Sequence, residues 1–424
     1  MKKIFLLLLV ALNSFGQTPL SLHTALETGL RHRFDVQANK LDVALAQNKI
    51  TSAKEAWLPD LHANAEVRYN TKLETMVLDG FNGTGTEKIE VGTKNRTMYS
   101  LELSQPLFKP GLRIDTKIAS LEVQEEQEKE LEKEVSIRNK IVEAYLTVLL
   151  KKKELELTLE STSRYHEYLN VALEKERLHT ILAADVLKVR TDYENANITA
   201  QDAQQQYDGA IRALKYHLNI DSAFILTDSL ETLQAASLQS SNIDERPELK
   251  KLFFMQKTNQ LRVQKSNGLW LPSLYFIGNY TSQFQSARFD YSQHLWSPYN
   301  YIGLKASLPI TELFKKSKRE FTIKAKQLQL QYDQQKADLT YEYSKIEIDL
   351  INNKGNITTA ANNLDLARML YDSQLTLYKS GTVSYNTLLD TEASINTAAK
   401  NYIKAVYNYL ISYYNYKRIQ EGVL

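Results

Sequence analysis

The sequence predicts a mainly α-helical fold with a small β portion, built as a duplicated helix–strand–strand–long helix–helix repeat. Three observations predict it. The tripeptide Trp57-Leu58-Pro59 returns as Trp270-Leu271-Pro272. After each copy polarity alternates residue by residue, the period of a strand with one apolar face. The rest is nearly free of helix breakers: Gly (14) and Pro (8) are scarce in 424 residues, 111–246 and 310–424 contain no Pro, and no Gly falls between Leu112 and Asp208. Helices well beyond the usual globular length are permitted there.

In chain order, Lys2-Lys3, the apolar Ile4–Leu12 and the small-x-small Ser14-Phe15-Gly16 read as a secretory signal over residues 1–16, with the mature chain starting at Gln17. This apolar run falls well short of the roughly 20 residues that span a bilayer. Removing Lys2 and Lys3 with no acid takes the formal charge from +2 to zero, so the charge implies no nucleic-acid partner. Cys is absent, which excludes disulfides, thiolate metal sites and a lipid-modified N-terminal Cys.

From Ser21 as N-cap, Leu22, Leu26, Leu30, Val36, Leu41, Leu45 and Ile50 recur near helical spacing and predict one helix to Trp57. Pro59 disfavours the α region for the residue before it, so the joint is a helix-to-strand switch. The first strand, about 60–71, sets Leu61, Ala63, Ala65, Val67 and Tyr69 against His62, Asn64, Glu66, Arg68 and Asn70. Residues 72–96, with Gly80, Gly83, Gly85 and Gly92, read as a long polar loop. A second strand, about 97–108, carries Tyr99, Leu101 and Leu103 on one face and ends at Pro106-Leu107-Phe108.

Pro110-Gly111 then opens a helix from about 112 to 177, with Leu131, Val135, Val142, Leu146 and Leu149 in coiled-coil cadence. The charged block Glu122–Glu134 reads as its solvated face. The pattern breaks at Leu178-His179-Thr180, and a return helix runs from about 183 to 217. This first repeat covers 17–220. Residues 221–243 show no periodicity and read as an irregular segment between repeats.

The plan recurs over 244–424. Arg33-Phe34-Asp35-Val36 is answered by Arg246-Pro247-Glu248-Leu249. Strands follow at about 273–284 (Leu274, Phe276 and Tyr280 on one face) and about 299–310 (Ile302, Leu304, Ala306 and Leu308). After Pro309 a second long helix carries Leu328, Tyr332, Leu339, Tyr343 and Ile346, turns at Ser380-Gly381-Thr382 and returns to Arg418. Trp57, Pro59, Pro106, Trp270, Pro272 and Pro309 therefore mark the helix–strand joints. Four amphipathic strands do not close a barrel alone, and open edges are not tolerated in lipid, so closure falls to other copies of the chain. Trp57, Trp270 and Phe108 at the strand ends suit an aromatic belt.

The chain resembles the outer membrane efflux protein family, the TolC-like channels. The residues that carry the resemblance are the paired Trp-Leu-Pro joints, Ser104-Gln105-Pro106-Leu107-Phe108, and Tyr378-x-x-Gly381-Thr382 leading into Leu388-Leu389-Asp390. It extends over nearly the whole mature chain. The resemblance implies a homotrimer whose four strands per chain close a twelve-strand barrel in the outer membrane of a Gram-negative bacterium, above a long α-helical tunnel in the periplasm. It implies a passive exit duct for efflux or type I secretion. The implied partners are a periplasmic adaptor (membrane fusion) protein, an inner-membrane pump of RND, ABC or MFS type, and outer membrane lipid.

The resemblance further implies adaptor docking at the hairpin tips, Leu178, His179, Thr180, Ser380, Gly381 and Thr382, and an entrance gate at Tyr378 and Asp390. The family's Gly at the first turn is His179 here, and its Val-Gly-Thr is Ser380-Gly381-Thr382. An Arg and the first of two Asp that the best-known member of the family uses to lock its entrance align with Val383 and Thr387, which leaves Asp390 of the acid pair.

No His-x3-His or His-Glu pair, phosphate loop or nucleophile elbow occurs, so neither a metal site nor a cofactor nor catalysis is expected. Glu66, Arg68 and Glu102 fall on the polar strand face and read as a wet barrel interior that tunes ion preference at most. Two other readings compete: a secreted coiled-coil structural or adhesive protein without a pore, and a membrane-fusion adaptor. Two duplicated strand pairs with one apolar face argue against both.

Overall fold

Long stretches without Gly or Pro become long helices, and the alternating stretches become strands. The computed structural model describes residues 18–79, 86–233, 243–292, 295–310 and 317–421; the expected signal over 1–16, Gln17 and the glycines at 80, 83 and 85 lie outside them. The elements are β1 (Thr18–Leu20), α1 (Leu22–His32), α2 (Phe34–Glu55), β2 (Asp60–Tyr69), β3 (Glu74–Asp79), β4 (Thr86–Val91), β5 (Asn95–Phe108), α3 (Leu112–Arg177), α4 (Ala183–Leu218), β6 (Phe224–Leu226), α5 (Pro247–Gly268), β7 (Ser273–Ser286), β8 (Trp296–Ser307), α6 (Ser317–Lys379) and α7 (Tyr385–Glu421). At about 1.5 Å per residue α3 is roughly 100 Å long.

Three expectations are corrected. The single helix from Ser21 to Trp57 is two, because Arg33 adopts an extended conformation that ends α1. The polar loop at 72–96 contains a hairpin in which β3 pairs antiparallel with β4, Met76 opposite Ile89. The irregular segment 221–243 contains β6, which pairs in parallel with β1.

The chain forms two compact units: one from the residues up to Val43, Glu126–Lys251 and Gln331–Leu424, the other from Ala44–Glu125 and Leu252–Leu330. In the first, α1 packs with α3 and α4 around fully buried Ile141, Tyr145, Leu214 and Leu218. The Tyr145 hydroxyl donates to Leu20 O (3.0 Å) and to Asp228 Oδ2 (2.8 Å). The same Asp228 oxygen accepts from Leu22 N (2.8 Å), which satisfies an open N–H at the start of α1. Gly29 is where α1 meets this core. A Cβ there would lie 2.3 Å from Ile141 Cδ1 and 3.4 Å from Leu218 Cδ2. Because both neighbours are packed, Gly29→Ala is expected to destabilise by roughly 1–3 kcal/mol through overpacking. Thermal melting of the purified protein checks this, and an unchanged midpoint refutes it.

The repeated Arg-x-Asp/Glu has a shared structural reason. Arg33 donates from Nε and Nη2 to Asp35 (2.9 and 2.6 Å) and from Nη1 to His217 O (3.2 Å). Arg246 donates likewise to Glu248 (3.1 and 2.6 Å) and to Arg418 O (2.5 Å). In each repeat one guanidinium joins the start of the helix that leads to the first strand of the repeat in the four-stranded sheet, α2 or α5, to the C-terminal end of the last helix, α4 or α7. Helix C-termini present unpaired carbonyls and partial negative charge, which a cation suits.

Candidate functional site

The second unit holds a four-stranded antiparallel sheet in the order β2-β5-β7-β8. Its register aligns Leu61, Leu103, Gly278 and Ile302 in one row, and Ala63, Leu101, Tyr280 and Asn300 in another row of the same face. On the opposite face His62, Glu102, Asn279 and Tyr301 form a row, as do Glu66, Met98, Gln283 and Ser297. Period-two alternation in four separate strands thus adds up to one oily and one wet wall. Ile302 on the oily wall is 80% exposed, and none of the described residues covers it.

The wet wall is less charged than its composition suggests. Arg68 pairs with Glu66. Glu102 accepts from Asn64 Nδ2 (3.4 Å) and Ser100 Oγ (3.4 Å), which leaves its charge uncompensated by those neutral donors. On the oily wall an aromatic group that the sequence reading overlooked lies at the hairpin end of the strands. Tyr99 stacks on Trp296 (5.5 Å), and Phe284 packs on Tyr291 (4.9 Å). Tyr291 also shares a 2.9 Å hydrogen bond with the Thr97 hydroxyl. Trp270 and Phe108, exposed at the other strand ends, complete aromatic residues at both margins.

In the first unit the two hairpin tips have the same backbone. His179 (φ 57°) and Gly381 (φ 81°) both take the left-handed conformation. Thr180 N donates to Lys175 O and His179 N to Glu176 O; Thr382 N donates to Leu377 O and Gly381 N to Tyr378 O. Each tip is a Schellman cap, so His179 performs the turn for which Gly is the usual residue. The tips are clasped together. Lys175 Nζ donates to Tyr378 O (2.6 Å) and lies 4.1 Å from the centre of the Tyr378 ring. Burial lowers the Lys175 pKa from its ordinary value. Lys379 pairs with Glu167 (2.5 Å), Tyr385 donates to Asp192 (3.0 Å), and Lys188 donates to Asn386. Between the tips is a cavity of about 660 Å³, lined in part by Leu178, Thr180, Ser380, Gly381 and Val383.

Tyr378 is a core residue, only 4% exposed, packed with Tyr168, Tyr371 and Leu388. Asp390 is exposed. Two positions on, Glu392 is fully buried (0%) and so points from the opposite side of α7. Its carboxylate accepts from Arg164 Nε (3.0 Å to each oxygen) and Nη2 (2.8 Å), Tyr168 OH (2.7 Å), Ser161 Oγ (2.9 Å) and Asn396 Nδ2 (2.9 Å). Burial, with Glu392 alongside, raises the Tyr168 pKa, so this phenol stays protonated and donates. The sequence reading missed this group. The available signal was a Glu on the apolar seam Leu388, Ile395 and Ala399.

An open sheet with one oily and one wet wall, together with long antiparallel helical hairpins, defines a TolC-like outer membrane channel. Among the described residues no helix is long and apolar enough to cross a membrane. The family model for outer membrane efflux proteins matches residues 25–219. In fold the chain is similar to CusC (TM-score 0.77, 15% identity, covering 94% of this chain and 91% of that one). It is similar also to the Campylobacter jejuni CmeC outer membrane channel (TM-score 0.74, 15% identity, 95% and 85% covered) and to the open state of the Neisseria gonorrhoeae MtrE outer membrane channel (TM-score 0.74, 13% identity, 94% and 88% covered). At these identities the structural likeness concerns the fold. A search of curated proteins finds no match. The family match thus covers the first structural repeat, and the fold of the whole chain is that of the TolC-like channels. These likenesses support an efflux channel.

Proposed function

We propose that this chain works as a homotrimer, a passive exit duct that an inner-membrane pump of RND, ABC or MFS type feeds through a periplasmic adaptor. The observation that carries the reading is the sheet order: β2 and β8 are edges without a strand partner among the described residues, on a sheet with a bare oily face. In lipid such edges must be paired, and further copies of the same sheet can pair them. TolC-like channels typically form trimers, which brings four strands per chain to twelve.

A second feature supports the same reading. Within α6, Leu339, Leu350, Leu364 and Tyr371 are buried, whereas Tyr341, Ile348, Leu366 and Leu370 are exposed. At 3.6 residues per turn these sets lie on opposite sides of the helix. Two apolar stripes need two partners, and a neighbouring protomer supplies the second. In this reading the tip residues Leu178, His179, Thr180, Ser380, Gly381 and Thr382 receive the adaptor, and Tyr378 stiffens the entrance from within the tip core.

Asp390 forms an acidic ring at the entrance when three copies meet, and such a ring attracts cations and repels anions. Recordings in planar bilayers test this. Wild type is expected to form cation-preferring channels blocked from the periplasmic side by a trivalent cobalt complex, and Asp390→Asn is expected to lose both properties. Equal preference and equal block in the variant would place Asp390 away from the mouth. Absence of any channel from detergent-stable trimers would sink the duct reading itself.

A further inference from the structure

We propose that Glu392 and Arg164 form a buried charge latch that holds α7 against α3 and controls opening of the entrance hairpin. The proposal rests on the channel reading above and names its regulation.

The latch is built around one carboxylate. Arg164, Tyr168 and Ser161 reach it from α3, and Asn396 from the next turn of α7. Tyr168 OH also shares a 2.6 Å hydrogen bond with Tyr371 OH on α6, so a single side chain of α7 ties three helices together. Arg164 is spoken for as well. Its Nη2 donates to Asn396 Oδ1 (2.8 Å), and its guanidinium sits 5.6 Å from the centre of the Tyr371 ring.

A buried carboxylate with its acceptor sites filled is stable while every donor is present, and becomes costly once one leaves. Loss of any one donor therefore weakens the whole network. It is also coupled to the tip: Leu388, one turn before Glu392, belongs to the same apolar cluster as Tyr168, Tyr378 and Val383. A displaced tip pulls on the carboxylate, and a hydrated carboxylate releases the tip. Water has a route, because a cavity of about 230 Å³ lined by Ser161, Tyr165, Asp192, Asn396 and Lys400 abuts the network. Asp390, on the opposite side of α7, moves with the same helix.

The test uses full-length trimers in planar bilayers and in detergent. Arg164→Met leaves the Glu392 carboxylate buried without its cation, which favours the state that hydrates it. The expected result is an open-state population roughly tenfold above wild type. Adding Glu392→Leu to Arg164→Met removes the stranded charge and is expected to return opening towards the wild-type level. A trimer carrying Arg164→Met with wild-type opening overturns the latch, and so does a double variant as open as the single one. Should Arg164→Met fail to assemble, Tyr168→Phe and Ser161→Ala each delete one donor; graded increases in opening support the latch, and none overturns it. Hydrogen exchange over residues 376–392 reads the latch independently of conduction. Faster exchange there in the latch variants supports it even if the wild type conducts nothing, whereas unchanged exchange is a static core ion pair and overturns it.

Discussion

Arg246→Ala is expected to destabilise each protomer by about 3–5 kcal/mol, the range for stripping one partner from a buried ion pair. The Arg246 side chain is 3% exposed, and Glu248 is largely covered. Truncation strands the Glu248 carboxylate and also frees Arg418 O at the end of α7. The matching change in the first repeat is the control. Arg33 makes the same contacts, but its partner Asp35 is 50% exposed, so water replaces much of what is lost. Arg33→Ala is expected to cost about 1 kcal/mol or less for that exposed pair. The Arg33 guanidinium, through its hydrogen bonds, holds the Asp35 carboxyl below its ordinary range. A depressed folded pKa means that this contribution is present at neutral pH and fades as pH falls through the depressed value. The Arg33→Ala deficit should therefore shrink in acid. Urea or thermal unfolding of the two variants side by side decides the matter. If both unfold with the same midpoint, the burial difference between the repeats carries no energetic weight.

Leu101→Arg is the second large effect. Leu101 lies mid-strand in β5, between Ala63 of β2 and Tyr280 of β7 on the oily face. An Arg facing lipid near the bilayer midplane costs roughly 2–4 kcal/mol, and a trimer repeats that cost in each copy. The adjacent Glu102 faces the wet wall, so Glu102→Arg introduces the same side chain into water. The expected result is loss of heat-stable trimers from the outer membrane fraction for Leu101→Arg and normal assembly for Glu102→Arg. Equal assembly of the two variants would refute the assignment of the walls, and the opposite outcome would mean that they are assigned the wrong way round.

The parts of the molecule legible in the sequence are those set by neighbours a few residues apart. Strand faces follow from a period of two. The bounds of α3 and α4 follow from Gly111 and Pro110 at one end and the interruption at His179 in the middle. The break between α1 and α2 was legible too, but only through the repeat: Pro247 stands where the first copy has Phe34, and a residue before Pro is biased away from the helix. The β3–β4 hairpin left no such trace. Met76, Val77, Ile89 and Val91 are all exposed, so neither of its faces is buried and no alternation was imposed.

The sequence by itself determined the duplicated plan, the number of strands in the sheet and the two tips, because periodicity, chain breakers and repeats are local properties. Only the tertiary structure decided which polar groups meet. Arg33 finds His217 O and Arg246 finds Arg418 O at sequence separations of 184 and 172 residues, while Glu392 finds Arg164 at 228. A charge on an apolar seam is costly unless a counter-charge arrives from another helix, and that arrival depends on how the helices pack, which no local pattern encodes. The same holds at the tips. His179 adopts a backbone that suits Gly because the return of α4 onto α3 requires a left-handed residue there, whatever its side chain.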